Sequence, residues 1–241
     1  MSDLKTMKLS TERKLDIIFC IDGTGSMAPC IDSVKRNARK FCEDFVDKMT
    51  NDFASSVEEL NVKVIVFRDY AEDGKNSMVI SEWFELTAGD EDAYSKFLDS
   101  VVPEGGGDDP ENGFEALYFA MTSDWKSNGD KDRQVIVLFT DSDALPIGAR
   151  SGSPDYPSDM VDNVGLLNTW MCVRPSYLSQ SDFKLREVCK RLVMFAPAGS
   201  AYEKIQSEYN SSQFIPVKMD EGLAELDFDA IIRILAASVG K

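Results

Sequence analysis

Three short runs of the chain are apolar at nearly every position, without the alternation of a strand that has one face in water. The runs lie within residues 15–21 (LDIIFCI), 62–70 (VKVIVFRDY) and 133–141 (RQVIVLFTD), and a strand is predicted over each of these ranges. Runs of this length and composition are typical of strands buried on both faces, as the central strands of a parallel sheet are. Helices must cover both faces of such a sheet, so the chain is expected to fold as a layered α/β domain.

Helical periodicity between the strands supports this fold class. From Pro29 to Met49, apolar residues recur at steps of mostly three and four, which predicts a helix of about 20 residues. Further helices are predicted at 92–101, 110–125, 158–172, 182–189 and 200–209, and at the C-terminus from 226; further strands are predicted at 77–86, 191–197 and 212–217. Because only a short turn precedes 77–86, this strand is expected to pair antiparallel with the strand before it. The prediction is a doubly wound, mostly parallel six-stranded sheet with one antiparallel edge strand and helices on both faces.

The chain is expected to form one domain over residues 15–241, after a polar N-terminal extension at 1–14. Residues 144–181 are rich in Pro, Ser and Gly and are interpreted as an irregular insertion near the carboxyl ends of the strands. No apolar stretch approaches the roughly 18 residues of a membrane span, and the N-terminus lacks the apolar core of a signal peptide. A cytoplasmic protein without membrane contact is therefore expected.

Composition excludes several classes of function. The sequence contains no histidine, so Ser-His-Asp catalysis, Cys-His catalysis and His-ligated zinc are all excluded. The five cysteines contain no CxxC pair and are expected to be reduced and mostly buried. A formal net charge of −16 repels nucleic acid, and any anion would need a local cation in order to bind.

Three oxygen-rich loops are predicted at the carboxyl ends of the strands, where doubly wound sheets bind their ligands. They are residues 22–26 (DGTGS), 105–111 (GGGDDPE) and 140–143 (TDSD). Without thiolate or imidazole, they suit a hard cation, Mg²⁺ or Mn²⁺ in preference to Ca²⁺. The ordinary alternative is that a Ser or Thr before a helix caps it and that an Asp at a strand end caps or is solvated.

The IDGTGSM segment resembles a known family at this point. A hydrophobic strand, then D-x-[S/T]-x-S, then an amphipathic helix is similar to the metal-ion-dependent adhesion site of von Willebrand factor type A domains, and the order of elements is similar over about residues 15–240. Asp141, which closes VIVLFTD, matches the third-loop aspartate of the family. The second loop lacks the Thr after a Gly pair that many members have, and its DPENGFEAL is instead similar to the P-E-G-G-F-D-A segment of integrin β-subunit I-like domains.

The resemblance implies a role for each residue of the site. Thr24 and Ser26 would coordinate the ion, and Asp22 would orient waters and hydroxyls beneath them. Glu111 would supply or bridge a ligand, as the matching integrin Glu does, and Asp141 would hold a water.

Two points in the second loop and the first helix stay open or differ from the family. Asp108 is a rival to Glu111, and Glu111 has the alternative role of a first-turn carboxylate on a helix dipole. The integrin's adjacent metal site needs acidic residues that residues 28–30 (APC) do not offer, so a single ion is expected.

The resemblance implies binding rather than catalysis. The ion keeps one position free for an Asp or Glu carboxylate of a partner protein, and an intracellular adaptor is the expected setting. In several family members the terminal helix shifts when that position fills, and we expect the same of residues 227–239.

An enzymatic alternative also starts from FCIDGTGS, which resembles D-x-D-x-T of haloacid-dehalogenase-type phosphatases and D-K-T-G-T of P-type ATPases. In the first alignment the nucleophile would fall at Cys20, which cannot form an aspartyl phosphate. In the second, Asp22 is the nucleophile, Gly23 replaces the Lys and Ser26 stands at the final Thr. This class also needs a Lys and an acidic pair after a later buried strand, whereas a charged helix precedes GGGDDPEN.

A further alternative is an acidic scaffold without a functional metal. Its interface would use apolar residues of the 144–181 insertion, although residues at helical spacing are more often part of a core. These residues are Tyr156, Leu166, Leu167, Trp170 and Met171.

Overall fold

In a computed structural model that describes residues 11–107, 110–218 and 227–240, seven strands make one mixed sheet. They are β1 (Thr11–Asp22), β2 (Ser55–Phe67), β3 (Met78–Ile80), β4 (Phe84–Glu85), β5 (Arg133–Phe139), β6 (Lys190–Pro197) and β7 (Ser212–Val217). The order is β3-β2-β1-β5-β6-β7, and β3 and β4 both pair antiparallel with β2. The predicted doubly wound fold is confirmed. The strand predicted at 77–86 is interrupted, and its two pieces make the count seven instead of six.

Helices cover both faces of the sheet, as predicted. Within the described residues they are α1 (Ala28–Phe53), α2 (Glu91–Ser100), α3 (Gly113–Met121), α4 (Asn163–Trp170), α5 (Ala201–Gln206) and α6 (Phe228–Gly240). One core lies between the sheet and α1, α2 and α6, and a second lies between the sheet and α3, α4 and α5. Successive residues of β1 enter opposite cores, Phe19 the first and Cys20 the second, because side chains alternate along a strand. This double burial explains why the run does not alternate.

Two local predictions are wrong. Residues 11–14, assigned to an N-terminal extension, belong to β1, where they pair with the start of β2 through backbone hydrogen bonds that need no apolar side chain. Residues 182–189 form turns and irregular backbone instead of the predicted helix. The side chain of Gln134 accepts from Arg186 N at 2.8 Å and donates to Lys184 O at 3.0 Å, so it satisfies backbone groups that a helix would otherwise pair.

The insertion at 144–181 is irregular apart from α4, which starts later than predicted because Asp162 caps it by accepting a hydrogen bond from Gly165 N at 2.7 Å. Of the five apolar residues considered for a scaffold interface, Leu166 and Trp170 are buried in the second core, and only Met171 is exposed, at 45%. The five residues therefore do not form the exposed apolar surface that the scaffold alternative requires. The five cysteines are free thiols, three of them buried, as predicted.

Candidate functional site

The first and third predicted loops meet at the carboxyl ends of two neighbouring parallel strands. Asp22 is the last residue of β1, and Asp141 follows the end of β5 by two residues. Ser26 Oγ donates a hydrogen bond to Asp141 Oδ1 at 2.9 Å, and Thr140 Oγ1 donates to Asp22 Oδ2 at 2.7 Å. The two loops are therefore in direct contact, as the sequence predicted.

The first loop turns tightly so that its two hydroxyls lie side by side. Thr24 N donates to Asp22 Oδ1 at 3.0 Å, and Thr24 Oγ1 lies 3.3 Å from Ser26 Oγ. A short 3-10 turn, Gly25–Met27, then leads into α1. The Thr24 side chain accepts no hydrogen bond from the 3-10 turn that it precedes, and the N-cap of α1 is Met27. The capping alternative therefore does not account for these hydroxyls, and the exposed Ser26 leaves the site open to solvent.

The second loop brings Glu111 to the same place. Glu111 N donates to Asp143 O at 3.0 Å, and Leu145 N donates to Glu111 O at 2.8 Å, which joins the second loop to the third. A Cβ built on Gly106 would lie 2.7 Å from Glu111 Oε1 and 2.9 Å from Thr24 Cβ. Gly106 therefore lies between Thr24 and the Glu111 carboxylate. The absence of a side chain at Gly106 allows these two groups to come close together.

Glu111 is not a first-turn residue of α3, because the helix begins at Gly113 after Asn112 as its N-cap. The helix-dipole alternative for Glu111 is therefore wrong, and Glu115 is the acidic residue of that first turn. The rival ligand, Asp108, lies outside the described residues.

Burial strongly perturbs the Asp22 carboxylate. Its removal from water raises the pKa of Asp22 to about 6, hydrogen bonds from Thr140 and Thr24 lower it, and the charge of Asp141 raises it further. No Lys or Arg in the described part of the chain forms an ion pair with Asp22. An ionised carboxylate buried in this way is costly unless a cation neutralises it.

The donor set fits a hard cation. Hydroxyl and carboxylate oxygens line the site, and Mg²⁺ and Mn²⁺ prefer oxygen ligands. No three His, Cys, Asp or Glu side chains among the described residues gather closely enough to hold an ion by themselves. A cation would therefore depend on the hydroxyl oxygens of Thr24 and Ser26 as well as on carboxylates.

Sequence reasoning missed Arg68, which ties the first loop to the second. Its Nε donates to Gly23 O at 3.0 Å and to Glu104 O at 2.8 Å, and its Nη2 donates to Val102 O at 2.7 Å. A Cβ on Gly23 would collide with the Arg68 guanidinium, so this glycine allows the close approach. Its position in the sequence could have indicated this role, because Arg68 directly follows the buried strand β2, as Asp22 stands at the end of β1.

Asp73 shapes the second loop from below. Its Oδ2 accepts a hydrogen bond from Gly106 N at 3.0 Å, and Gly105, Gly106 and Gly107 all have φ between 53° and 92°. This left-handed backbone favours glycine, and the close contacts with Asp73 and Glu72 leave no room for a side chain at 105 or 107. The three glycines therefore follow from packing against the β2–β3 connection.

We expect Gly106→Ala to lower the free energy of unfolding by about 2–4 kcal/mol, from left-handed strain plus collision with Thr24 and Glu111. Gly89→Ala is the matched control, because Gly89 has φ 101° and open space where a Cβ would go. The control is expected to lose only about 1 kcal/mol from backbone strain. Urea denaturation of both variants measures the difference, and equal losses would show that the contacts around Gly106 contribute nothing.

The enzymatic alternative finds little support in the geometry. Among the described residues, no Lys forms an ion pair with Asp22, whereas aspartyl-phosphate chemistry needs a Lys for the phosphoryl charge. Cys20 is buried, and its Sγ faces Ala116 O of α3 at 3.7 Å, away from the loops.

Comparisons with known proteins bear on this fold. The model of the von Willebrand factor type A domain matches residues 16–166. Comparison with curated proteins gives no match. Among solved structures, the pilus adhesin SpaC from Lactobacillus rhamnosus GG is similar with a TM-score of 0.55 and 13% identity over 95% of this chain and 31% of that chain. Its open conformation gives 0.52 and 12%, over 95% and 30%.

A von Willebrand factor type A protein from Catenulispora acidiphila gives a TM-score of 0.50 and 12% identity, over 95% of this chain and 43% of that chain. The chain therefore spans less than half of the length of each of these proteins. At such low identity, the likeness shows the fold alone.

Proposed function

Because this chain belongs to the von Willebrand factor type A domain family, a protein-interaction fold, we propose that it is a non-enzymatic interaction domain that binds one Mg²⁺ or Mn²⁺ ion and, through it, a partner's carboxylate. The observation that carries this proposal is the contact between Ser26 Oγ and Asp141 Oδ1, 2.9 Å apart, at the open end of the site. This contact joins the first and third loops at a place that is lined by hydroxyl and carboxylate oxygens.

Each residue has a distinct task in this proposal. Thr24, Ser26 and Glu111 would hold the ion, and Asp22 and Asp141 would fix the hydroxyls and the waters around it. When bound, the ion supplies a Lewis-acidic position for the incoming carboxylate. Thr140 holds the Asp22 carboxylate in place through its 2.7 Å hydrogen bond, and the exposed Ser26 marks the side from which a partner can approach.

Charge supports strict metal dependence. The chain carries a formal net charge of −16, and three carboxylates, those of Asp22, Glu111 and Asp141, lie at the site. A partner's carboxylate would be repelled by this field unless a divalent cation neutralised part of it.

We also propose an intracellular setting, with the protein acting as an adaptor. Five free thiols without a disulfide suit a reducing compartment. Among the described residues, no helix is both long enough and apolar enough to cross a membrane.

The test is calorimetric titration of Mn²⁺ and Mg²⁺ into the wild type, Ser26→Ala and Ser33→Ala. We expect one ion per chain in the wild type and about a tenfold or greater loss of affinity in Ser26→Ala, since a ligand is removed. Ser33, further along α1, is the control and should leave affinity unchanged. Absence of ion binding in the wild type would refute the proposal.

The carboxylate requirement needs its own measurement. In saturating Mg²⁺, a Glu-containing peptide selected for binding should lose affinity when its Glu is replaced by Gln, and EDTA should abolish binding of the parent peptide. Binding that persists in EDTA would contradict a metal-mediated contact.

The shift of residues 227–239 on partner binding stays a prediction. In the structure α6 buries Ile231, Leu235 and Val239 in the first core, and Arg13 Nη1 donates to Val239 O at 2.6 Å. Identical partner affinity after a disulfide pins α6 in either register would remove this prediction.

A further inference from the structure

Three arginines gather at the amino ends of neighbouring parallel strands. The candidate metal site lies at the carboxyl ends, on the other side of the sheet along the strand direction. Arg13 lies in β1, Arg133 begins β5 and Arg191 is the second residue of β6. Leu15 pairs with Arg133, and Val135 pairs with Arg191, so these side chains project from one face of the sheet. We refer to the three as the arginine cluster.

The hydrogen bonds of the arginine cluster go to backbone carbonyls. Arg13 Nη1 donates to Val239 O at 2.6 Å, Arg191 Nε donates to Ser238 O at 3.3 Å, and Arg133 Nη1 donates to Asp132 O at 2.8 Å. Within the described residues, none of the three forms a salt bridge with a carboxylate. The Nε atoms of Arg13 and Arg133 are buried without a hydrogen-bond partner in the described part of the chain.

The arginine cluster brings three positive charges close together, and none of them is neutralised by an ion pair among the described residues. Arg133 is 7% exposed, and burial together with the charges of Arg13 and Arg191 lowers the pKa of Arg133 to about 10. A guanidinium stays protonated at neutral pH, so the cluster carries three positive charges. The carboxyl end of α6 offers only about half a negative charge. The charge of Asp132 offsets part of the lowering of the Arg133 pKa. In a chain with 42 Asp and Glu residues, it is nevertheless unexpected that none of the three arginines has an ion-pair partner among the described residues.

We propose that the arginine cluster is a binding site for a phosphate group, either free phosphate or a phosphate carried by a small molecule. A phosphate dianion balances most of the three charges, whereas one carboxylate would leave two uncompensated. Arginine forks also match the oxygens of a phosphate with paired hydrogen bonds. Arg13 and Arg191 are half-buried, so part of each side chain reaches solvent, and a phosphate group would approach the cluster from there. The site is independent of the proposed metal site and lies beyond its function.

The experiment measures melting temperature and calorimetric binding with inorganic phosphate, with O-phosphoserine and with glutarate, each against chloride at equal ionic strength. The wild type should gain about 5 °C in saturating phosphate. Arg191→Gln and Arg13→Gln should each weaken phosphate binding by tenfold or more, as loss of a charge-assisted hydrogen bond does. Arg174→Gln, which removes an arginine that bonds Pro175 O in the insertion, should leave it unchanged.

Comparison of the ligands identifies the source of the phosphate group. Tighter binding of O-phosphoserine than of inorganic phosphate would indicate a phosphorylated small molecule, and the reverse would indicate free phosphate. Glutarate binding as tight as phosphate would overturn the proposal, as would absence of a phosphate-specific effect in the wild type. An equal phosphate effect in the wild type and in both Gln variants would also overturn it and leave the arginines as anchors of α6 only.

Discussion

Replacing Asp22 by Asn is expected to abolish the rise in melting temperature that Mg²⁺ or Mn²⁺ gives the wild type. A ligand that binds only the native state adds about 2.7 kcal/mol at one hundred times its dissociation constant, which is about 5–10 °C for a domain of this size. Asn has the same shape as Asp. The Thr140 hydroxyl, which donates a hydrogen bond to Asp22 in the wild type, can either donate to the amide oxygen of Asn or accept a hydrogen bond from its amide nitrogen. The variant should therefore fold but lack the charge that the ion requires.

Asp16 provides the matched control for Asp22, because both carboxylates are fully buried in β1, with Asp16 in the middle of the strand and Asp22 at its carboxyl end. Asp16→Asn should change the melting temperature equally in Mg²⁺ and in EDTA. In EDTA, Asp22→Asn should be at least as stable as the wild type, since it removes a buried charge without an ion pair. A metal-dependent rise of full size in Asp22→Asn would exclude Asp22 from the site.

The second large effect is expected from Asp16→Ala, which should lower the free energy of unfolding by about 3–5 kcal/mol. The Asp16 carboxylate accepts from Asn61 Nδ2 at 2.9 Å, Ser127 Oγ at 2.8 Å, and the backbone N–H groups of Lys126 and Ser127, both at 2.7 Å. Alanine would leave these donors unpaired inside the protein.

Urea denaturation of Asp16→Ala and Asp130→Ala measures this effect. Asp130, whose side chain is 85% exposed, pairs with Arg186 on the surface, and its loss should cost less than about 1 kcal/mol. A comparable loss in both variants would show that the buried network around Asp16 contributes no more than a surface ion pair.

These two aspartates show how much the sequence alone determined. Both stand beside or within one apolar run, and the pattern correctly indicated a strand buried on both faces. The glycines after Asp22 and the helical periodicity that follows correctly indicated a turn into a helix. The position of Asp22 at a strand end also made it a candidate site residue, but nothing near Asp16 in the sequence showed that Asn61 and Ser127 would surround it.

The second loop shows what only the tertiary structure decided. Its glycines indicated a turn, but the turn's shape depends on Arg68 and Asp73, which lie more than 30 residues earlier in the chain. Glu111 reaches the first loop because Gly106 leaves room beside Thr24. The helix predicted at 182–189 is absent for a similar reason, because the side chain of Gln134 in β5 forms hydrogen bonds with the backbone of Lys184 and Arg186.

The physical reason is the range of the interactions involved. Hydrophobic periodicity and turn preferences reflect the burial and backbone angles of neighbouring residues, so the sequence determined the class of the sheet, its covering helices and the first loop. Contacts between loops, and the arginine cluster of β1, β5 and β6, depend on which distant strands become neighbours in the sheet. That order is decided only when both hydrophobic cores form, and the tertiary structure alone reveals it.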